Sequence, residues 1–586
     1  MLGILKKLMH ILNKEQKKKV VGIGIMIFIG ALLEMLGVGL IMPIVEGVMD
    51  PEALLDKSYI RFLENFIHFD TANQWLLFII GAIIVVYFLK NAYLLFQTYV
   101  QSRFVNKNQS DTVSYMLEEY LNRPYEFYLN ADYATLFRTI DGDVPKVFTV
   151  LMDYIQLFTE LMVSAVLGLY LLISNPGMTI MVLVIMVGLT VLIIKVLKPT
   201  LNRLGYTSLK LQAQLGKWRL QSVYGIKDVK ILNKEHYFAS SFAKYSERNA
   251  KLTTQYAVLN NMPRLFVETF SICGILGYLA ICIATSADLT ALVPQIGAFA
   301  VAAMRLMPSV NRINTHMNNI AFYEPNVNYV YENVDFTSYR LHGKYQRIEK
   351  TAAKPIKLEK EILMKDVTYL YPESDKIILE NAEMVVPVGK AVGIMGPSGA
   401  GKSTAVDVLL GLLKVRSGHI YCDGRDIFEN YESWLSHIGY IPQNIYLTDN
   451  SIRENIAFGV APEEIDDERV WQVLEEAQMK EFIKEQPEQL EMTVGERGTR
   501  LSGGQRQRIG IARALYHNPD ILVFDEATSA LDTDTETAIM EAIERFHGRK
   551  TLIIIAHRLR TIENCDIIYK VEKGKITRTT LEAENH

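Results

Sequence analysis

Cysteine is scarce: four in 586 residues. Cys273, Cys282, Cys422 and Cys565 form no C-x-x-C pair and no spaced framework, which suits a reducing compartment. Two of them lie in apolar runs and read as core residues. A dominant charge of one sign is also missing, since 61 Lys and Arg stand against 65 Asp and Glu. That balance gives no electrostatic reason to invoke nucleic acid. No small-residue cleavage site follows the first apolar run, Val20–Val45, which is itself too long for a secretory signal. Beyond about residue 310 long apolar runs disappear, so the mean hydropathy of +0.12 and the 49% hydrophobic content belong mainly to the first part of the chain.

What is present in that part is a series of membrane-length runs. The spacing predicts six spans, at 20–45, 73–100, 147–173, 177–197, 263–286 and 289–310. Lys14, Lys17, Lys18 and Lys19 hold the first N-terminus inside. The long basic segments 103–145 and 198–261 then lie on the same, cytoplasmic side. The outer connection carries Leu55, Tyr59, Phe62, Leu63, Phe66 and Ile67 on one helical face. An amphipathic helix is therefore expected over about 52–69, either packed as a connector or in contact with cargo. Residues 1–340 read as a transmembrane domain, 341–358 as a basic, unpatterned linker, and 359–586 as an α/β domain.

The second part is organised around residues 390–404. The apolar run Ala391 to Met395 reads as a buried strand. It turns through Gly396-Pro-Ser398-Gly399-Ala-Gly401 and resumes as a helix from Lys402-Ser403-Thr404. This is the G-x-x-x-x-G-K-S phosphate-binding spacing. Glycines let backbone N–H groups turn toward an anion, and the new helix points its positive end at the same place. Lys402 supplies a point charge for ATP phosphates and Ser403 a hydroxyl for Mg²⁺. An ordinary glycine-rich turn is the alternative, and further segments decide between them. Ile521-Leu-Val-Phe-Asp525-Glu526 is a strand ending in two carboxylates, one suited to Mg²⁺ and one to the attacking water. Tyr371 is placed to stack on adenine. Gln443 follows the strand that ends at Ile441. Leu501-Ser502-Gly503-Gly504-Gln505 opens a helix, and His557 ends a strand.

These segments, in this order, resemble the nucleotide-binding domain of ABC transporters. The resemblance implies that Lys402 and its loop are the Walker A motif and Gln443, a metal and catalytic residue, the Q-loop. It makes Ser502 to Gln505 the signature, Asp525 and Glu526 the Walker B pair, Asp532 the D-loop residue and His557 the switch histidine. In that family the signature of one subunit completes the ATP site of the other, so a homodimer is implied. Six spans and one such domain are similar to a half-transporter of the exporter class in a bacterial cytoplasmic (inner) membrane. Short coupling helices are expected near 130–137 and 218–225.

Cargo is read from ionisable residues in or beside the spans, Glu34, Lys90, Arg264 and Arg305. Such charges are costly unless they face the bundle interior or a wet cavity. Lys90, Arg264 and Arg305 favour an anionic cargo group, or else snorkel to the inner headgroups. With the amphipathic outer helix, they are similar to flippases of lipid-linked oligosaccharides in bacterial protein N-glycosylation. The expected cargo is then a polyprenyl-pyrophosphate glycan. Exporters of other lipids, drugs or peptides are the alternative, and a soluble ABC-type ATPase the remote one.

Overall fold

The computed structural model describes residues 2–39, 69, 71–174, 176–284, 289–342, 354–372, 374–526, 540–541, 543–556 and 558–580. The expected outer helix at 52–69 lies almost wholly outside these residues. The chain divides into two units, one of Met1–Arg123 and Ala131–Arg347, the other of Pro124–Asn130 and Ile348–His586.

Six long helices dominate the first unit: α1 (Lys14–Gly39), α2 (Ala72–Leu121), α3 (Val144–Ser174), α4 (Pro176–Tyr224), α5 (Glu235–Ala284) and α6 (Leu289–Asn333). Each contains most or all of one predicted span. Among the described residues, three stretches are long and apolar enough to cross a membrane: Lys14–Gly37, Gln74–Leu121 and Tyr133–Tyr170. At 45 to 50 residues, α2, α4, α5 and α6 run well beyond the ~20 residues that a bilayer needs. A six-residue helix, Thr337–His342, follows α6.

Contacts between these helices are polar as well as apolar. Gln16 donates to Asn108 Oδ1 and to the Tyr339 hydroxyl, at 2.8 Å each, tying α1 to α2 and to the Thr337–His342 helix. Asp153 on α3 accepts from Asn319 of α6 at 3.2 Å and meets His316 at 2.7 Å. Gly205 of α4 lets the backbone of α6 come close. A Cβ there would sit 2.0 Å from the Phe322 carbonyl oxygen, so only glycine permits the approach.

In the second unit, β1 (Glu361–Leu370), β2 (Ile377–Pro387), β4 (Ser417–Cys422) and β5 (Arg425–Asp426) form an antiparallel sheet in the order β2-β1-β4-β5. The other sheet has the order β10-β9-β3-β8-β7-β6. It is built from β3 (Ala391–Met395), β6 (Ile438–Ile441), β7 (Ile521–Asp525), β8 (Thr551–Ile555), β9 (Ile567–Glu572) and β10 (Lys575–Thr579). Five of these strands are parallel, with β10 antiparallel at the edge. Strands β3, β7 and β8 are buried along almost their whole length, as a sheet covered on both faces requires.

Of the two short helices expected between the long ones, the one near 130–137 is present and the one near 218–225 is displaced. Short helices stand at Tyr125–Leu129 and Tyr133–Arg138, and at Ile226–Ile231, whereas 218–224 continues α4. Pro124 lacks the N–H that would continue α2 and starts the first short helix early, and Gly225 separates α4 from the last one. The first of them belongs to the second unit, where Glu126 Oε1 accepts from the Lys414 N–H at 2.8 Å.

Candidate functional site

Because β3, β6, β7 and β8 are parallel, their carboxyl ends open on one edge of the sheet, where α/β proteins bind ligands. Register puts Asp525 of β7 opposite Ile555 of β8, and Ile394 of β3 opposite the same Ile555. The two carboxylates and the phosphate loop are therefore neighbours because of strand pairing.

The loop needs its glycines. Gly396 has φ 151°, and a Cβ on it would lie 2.2 Å from the Val571 carbonyl oxygen. Gly401 has φ 100° immediately before helix α7 (Lys402–Leu409), and Gly399 has φ 76° with open space where a side chain would be. Lys402 is buried and curls back to donate to the carbonyls of Gly396 at 2.9 Å and Pro397 at 3.2 Å. Burial pulls its ammonium below the ordinary lysine pKa, opposed by Glu526 and Asp525. Ser398 is exposed on the loop, and Thr404 is buried beneath it.

Around the loop the predicted residues converge. Ser403 Oγ donates to Asp525 Oδ1 at 3.3 Å, and Gln443 Nε2 donates to Glu526 Oε2 at 2.8 Å. Burial holds the Asp525 carboxyl above its ordinary pKa, opposed by hydrogen bonds from Tyr440 and Ser403. Glu526 has φ 50°, a left-handed conformation that costs a side-chain-bearing residue about 1–2 kcal/mol. Its backbone N–H donates to the Ile555 carbonyl at 3.1 Å, so β-strand pairing carries through the bend. The hydroxyl of Tyr371 shares a 2.7 Å hydrogen bond with Thr404 Oγ1, and its ring meets Tyr369 edge-on.

The Ser403 hydroxyl and the Asp525 carboxylate are hard oxygen donors within one hydrogen bond of each other. That donor set fits Mg²⁺, which takes one or two protein oxygens and leaves the rest to water and phosphate. Gln443 in this state is turned to Glu526. The Ser502-Gly503-Gly504-Gln505 segment opens helix α8 (Gly503–Tyr516). There the Ser502 hydroxyl accepts from the Gln505 N–H at 3.3 Å, and Gln505 Oε1 accepts from the Ser502 N–H at 2.8 Å, a capping box. Asp532 and His557 lie outside the described residues.

Three residues here were not read from the sequence. Tyr440 donates to Asp525 Oδ2 at 3.1 Å. Asp407, on α7, is pushed up to about 6 by burial and by Asp525. Asn455, fully buried, accepts from the Thr448 N–H at 3.0 Å and from Arg513 at 3.2 Å. The one local signal was Ser451 with Glu454, a capping box that places Asn455 on a helix.

In the first unit, Lys90 is 4% exposed and lies 3.3 Å from Glu34, with its ammonium 4.8 Å from the Tyr87 ring centroid. Two anomalies read separately in the sequence thus form one ion pair between α1 and α2. Arg264 is exposed on α5, next to Pro263. Arg305 lies on α6, with its side chain outside the described residues.

Two family models match the chain, the ABC transporter transmembrane region over residues 20–310 and the ABC transporter model over 379–529. An ATP-dependent lipid A-core flippase of Methylococcus capsulatus is 29% identical over 80% of this chain and 77% of its own length. One from Vibrio cholerae is 39% identical over 42% of this chain and 40% of its own, and multidrug resistance protein pgp-1 of Caenorhabditis elegans is 41% identical over 43% and 20%. The chain thus spans a fifth to two fifths of the length of these last two relatives. A solved structure of a bacterial Atm1-family ABC exporter with ATP bound superposes with a TM-score of 0.77 at 22% identity, covering 97% of this chain and 96% of that one. The chain belongs to the ABC transporters, with the membrane-spanning region and the ATP-hydrolysing domain of the exporter fold on one polypeptide.

Proposed function

We propose that this chain is one half of an ATP-driven homodimeric exporter that moves a phosphorylated lipid across a bacterial cytoplasmic membrane. The observation that carries the reading is the convergence of Lys402, Ser403, Asp525, Glu526 and Gln443 at one sheet edge, on a chain with membrane-length helices. Lys402 and the loop amides at Gly396, Ser398, Gly399 and Gly401 hold ATP phosphates, and Tyr371 packs on adenine. Ser403, Asp525 and Gln443 hold Mg²⁺, which supplies charge neutralisation at the phosphates. Glu526 orients and deprotonates the attacking water, and His557 and Asp532 complete the site. Ser502 to Gln505 of the other protomer closes over the nucleotide, so two equivalent sites follow from C₂ symmetry.

For cargo, we infer a polyprenyl-pyrophosphate-linked oligosaccharide, engaged by Arg264 and Arg305, whose guanidinium forks suit diphosphate oxygens. Lys90 has Glu34 beside it and contributes a neutralised pair. The relatives named lipid A-core flippases support a lipid cargo of some kind. A relative named for multidrug resistance favours the second reading, an exporter of other lipids or drugs. The test is ATPase stimulation and flipping in proteoliposomes across polyprenyl-pyrophosphate glycans, glycerophospholipids, lipid A and drugs. Stimulation confined to the last three would overturn the inferred cargo.

A further inference from the structure

Asp525 carries two oxygens, each with one donor. Ser403 donates to Oδ1 and Tyr440 to Oδ2. The two donors are not equivalent. Ser403 begins the helix that follows the phosphate loop, and its hydroxyl is the group that a metal would recruit. Tyr440 stands on a strand and not on the phosphate-loop helix. It lies on β6, paired with Val523 of β7, so its phenol reaches two residues along β7 to the strand's carboxyl end. Of the two donors, it alone can keep hold of Asp525 when Ser403 turns away.

We infer that Tyr440 is a positioning residue. Its hydroxyl sets the orientation of the Asp525 carboxylate for the metal. This rests on the reading of Asp525 as the metal-binding carboxylate. A hydroxyl that donates to Oδ2 fixes the carboxylate's rotation and leaves Oδ1 facing Ser403, so the two metal-binding oxygens face one point without rearrangement.

The experiment uses the full-length chain in detergent, with Mn²⁺ as the probe and electron paramagnetic resonance as the readout, in the presence of non-hydrolysable ATP analogue. Tyr440→Phe removes one oxygen and keeps the ring. It should weaken Mn²⁺ binding about tenfold, as loss of a hydrogen bond to a charged group does. Analogue binding in EDTA, which needs the fold and the phosphate loop only, should stay unchanged. Asp525→Asn serves as the reference. Loss of Mn²⁺ binding in Asp525→Asn with wild-type binding in Tyr440→Phe overturns the role of Tyr440. Unchanged binding in both overturns the metal-site reading and the inference with it.

Discussion

In the second unit the polar side chains that meet come from the ends of short parallel strands. Ser403, Gln443, Asp525 and Glu526 all stand within a residue or two of a strand or helix end, and backbone ladders set their spacing. In the first unit they come from the middles of helices of 26 to 50 residues and meet wherever two helices cross: Lys90 with Glu34, His316 with Asp153, Arg312 with Glu160. The contrast teaches where to look for chemistry. A strand end frees a side chain from packing, so a group there can be presented to a ligand. A charge inside a helical bundle must first find a counter-charge. Convergence therefore reads as catalysis in the second unit, and pairing reads as assembly in the first.

The sharpest way to break that contrast is Glu526→Gln. It keeps the shape and the left-handed bend but removes the base. ATP hydrolysis should fall about a thousandfold while ATP binding persists. Near-wild-type turnover in a phosphate-release assay would show that the strand-end carboxylate is not catalytic.

A second test asks whether one chain's strand ends suffice. Lys402→Ala and Ser502→Arg proteins should each be nearly inactive alone. Mixed before assembly, they should recover up to about a quarter of wild-type hydrolysis, because half the dimers carry one intact composite site. No recovery on mixing would mean that each site is built within a single chain.

For the helical unit, the Lys90–Glu34 pair is the place to act. Glu34→Ala strands a buried ammonium and should cost about 3 kcal/mol, read as a lowered melting temperature in detergent. Glu34→Gln with Lys90→Met should restore most of the loss. If the single and double variants melt alike, the pair is not holding α1 to α2.

Arg264→Ala with Arg305→Ala should reduce flipping of a pyrophosphate-linked glycolipid several-fold with basal ATPase intact, since both belong to helices of the first unit. Normal flipping would leave these arginines to the headgroup region.

The smallest effect concerns Asp407. Its carboxyl is raised to about 6 by burial and by Asp525. A raised folded-state pKa contributes stability that is fully present below the ordinary value near 3.8 and is lost as pH rises through 6. Asp407→Asn should therefore flatten the melting profile between pH 4 and 6. Above pH 6 it should stabilise the protein by on the order of 1 kcal/mol, allowing for the water that still reaches the group. A variant as pH-dependent as wild type would place the titration elsewhere.

The sequence by itself determined the parts whose cause is local. Gly396, Gly399 and Gly401 are required by backbone angles within one turn, and Asp525 and Glu526 by the end of one apolar strand. The membrane-length runs follow from apolar length, a property of about twenty consecutive residues. For the same reason the phosphate loop, the Ser403 hydroxyl and the carboxylates were legible before any coordinates. Only the tertiary structure decided which distant residues meet. Tyr440 reads as an ordinary strand residue until β6 pairs with β7 and brings its hydroxyl to Asp525. Glu34 and Lys90 are two separate anomalies until α1 and α2 pack, and the short helix at Tyr125–Leu129 joins the second unit, where Glu126 accepts from the Lys414 N–H, a contact that no periodicity announces. A hydrogen bond or an ion pair between residues far apart in the chain depends on register and helix crossing. These are properties of the packed molecule, and local patterning does not encode them.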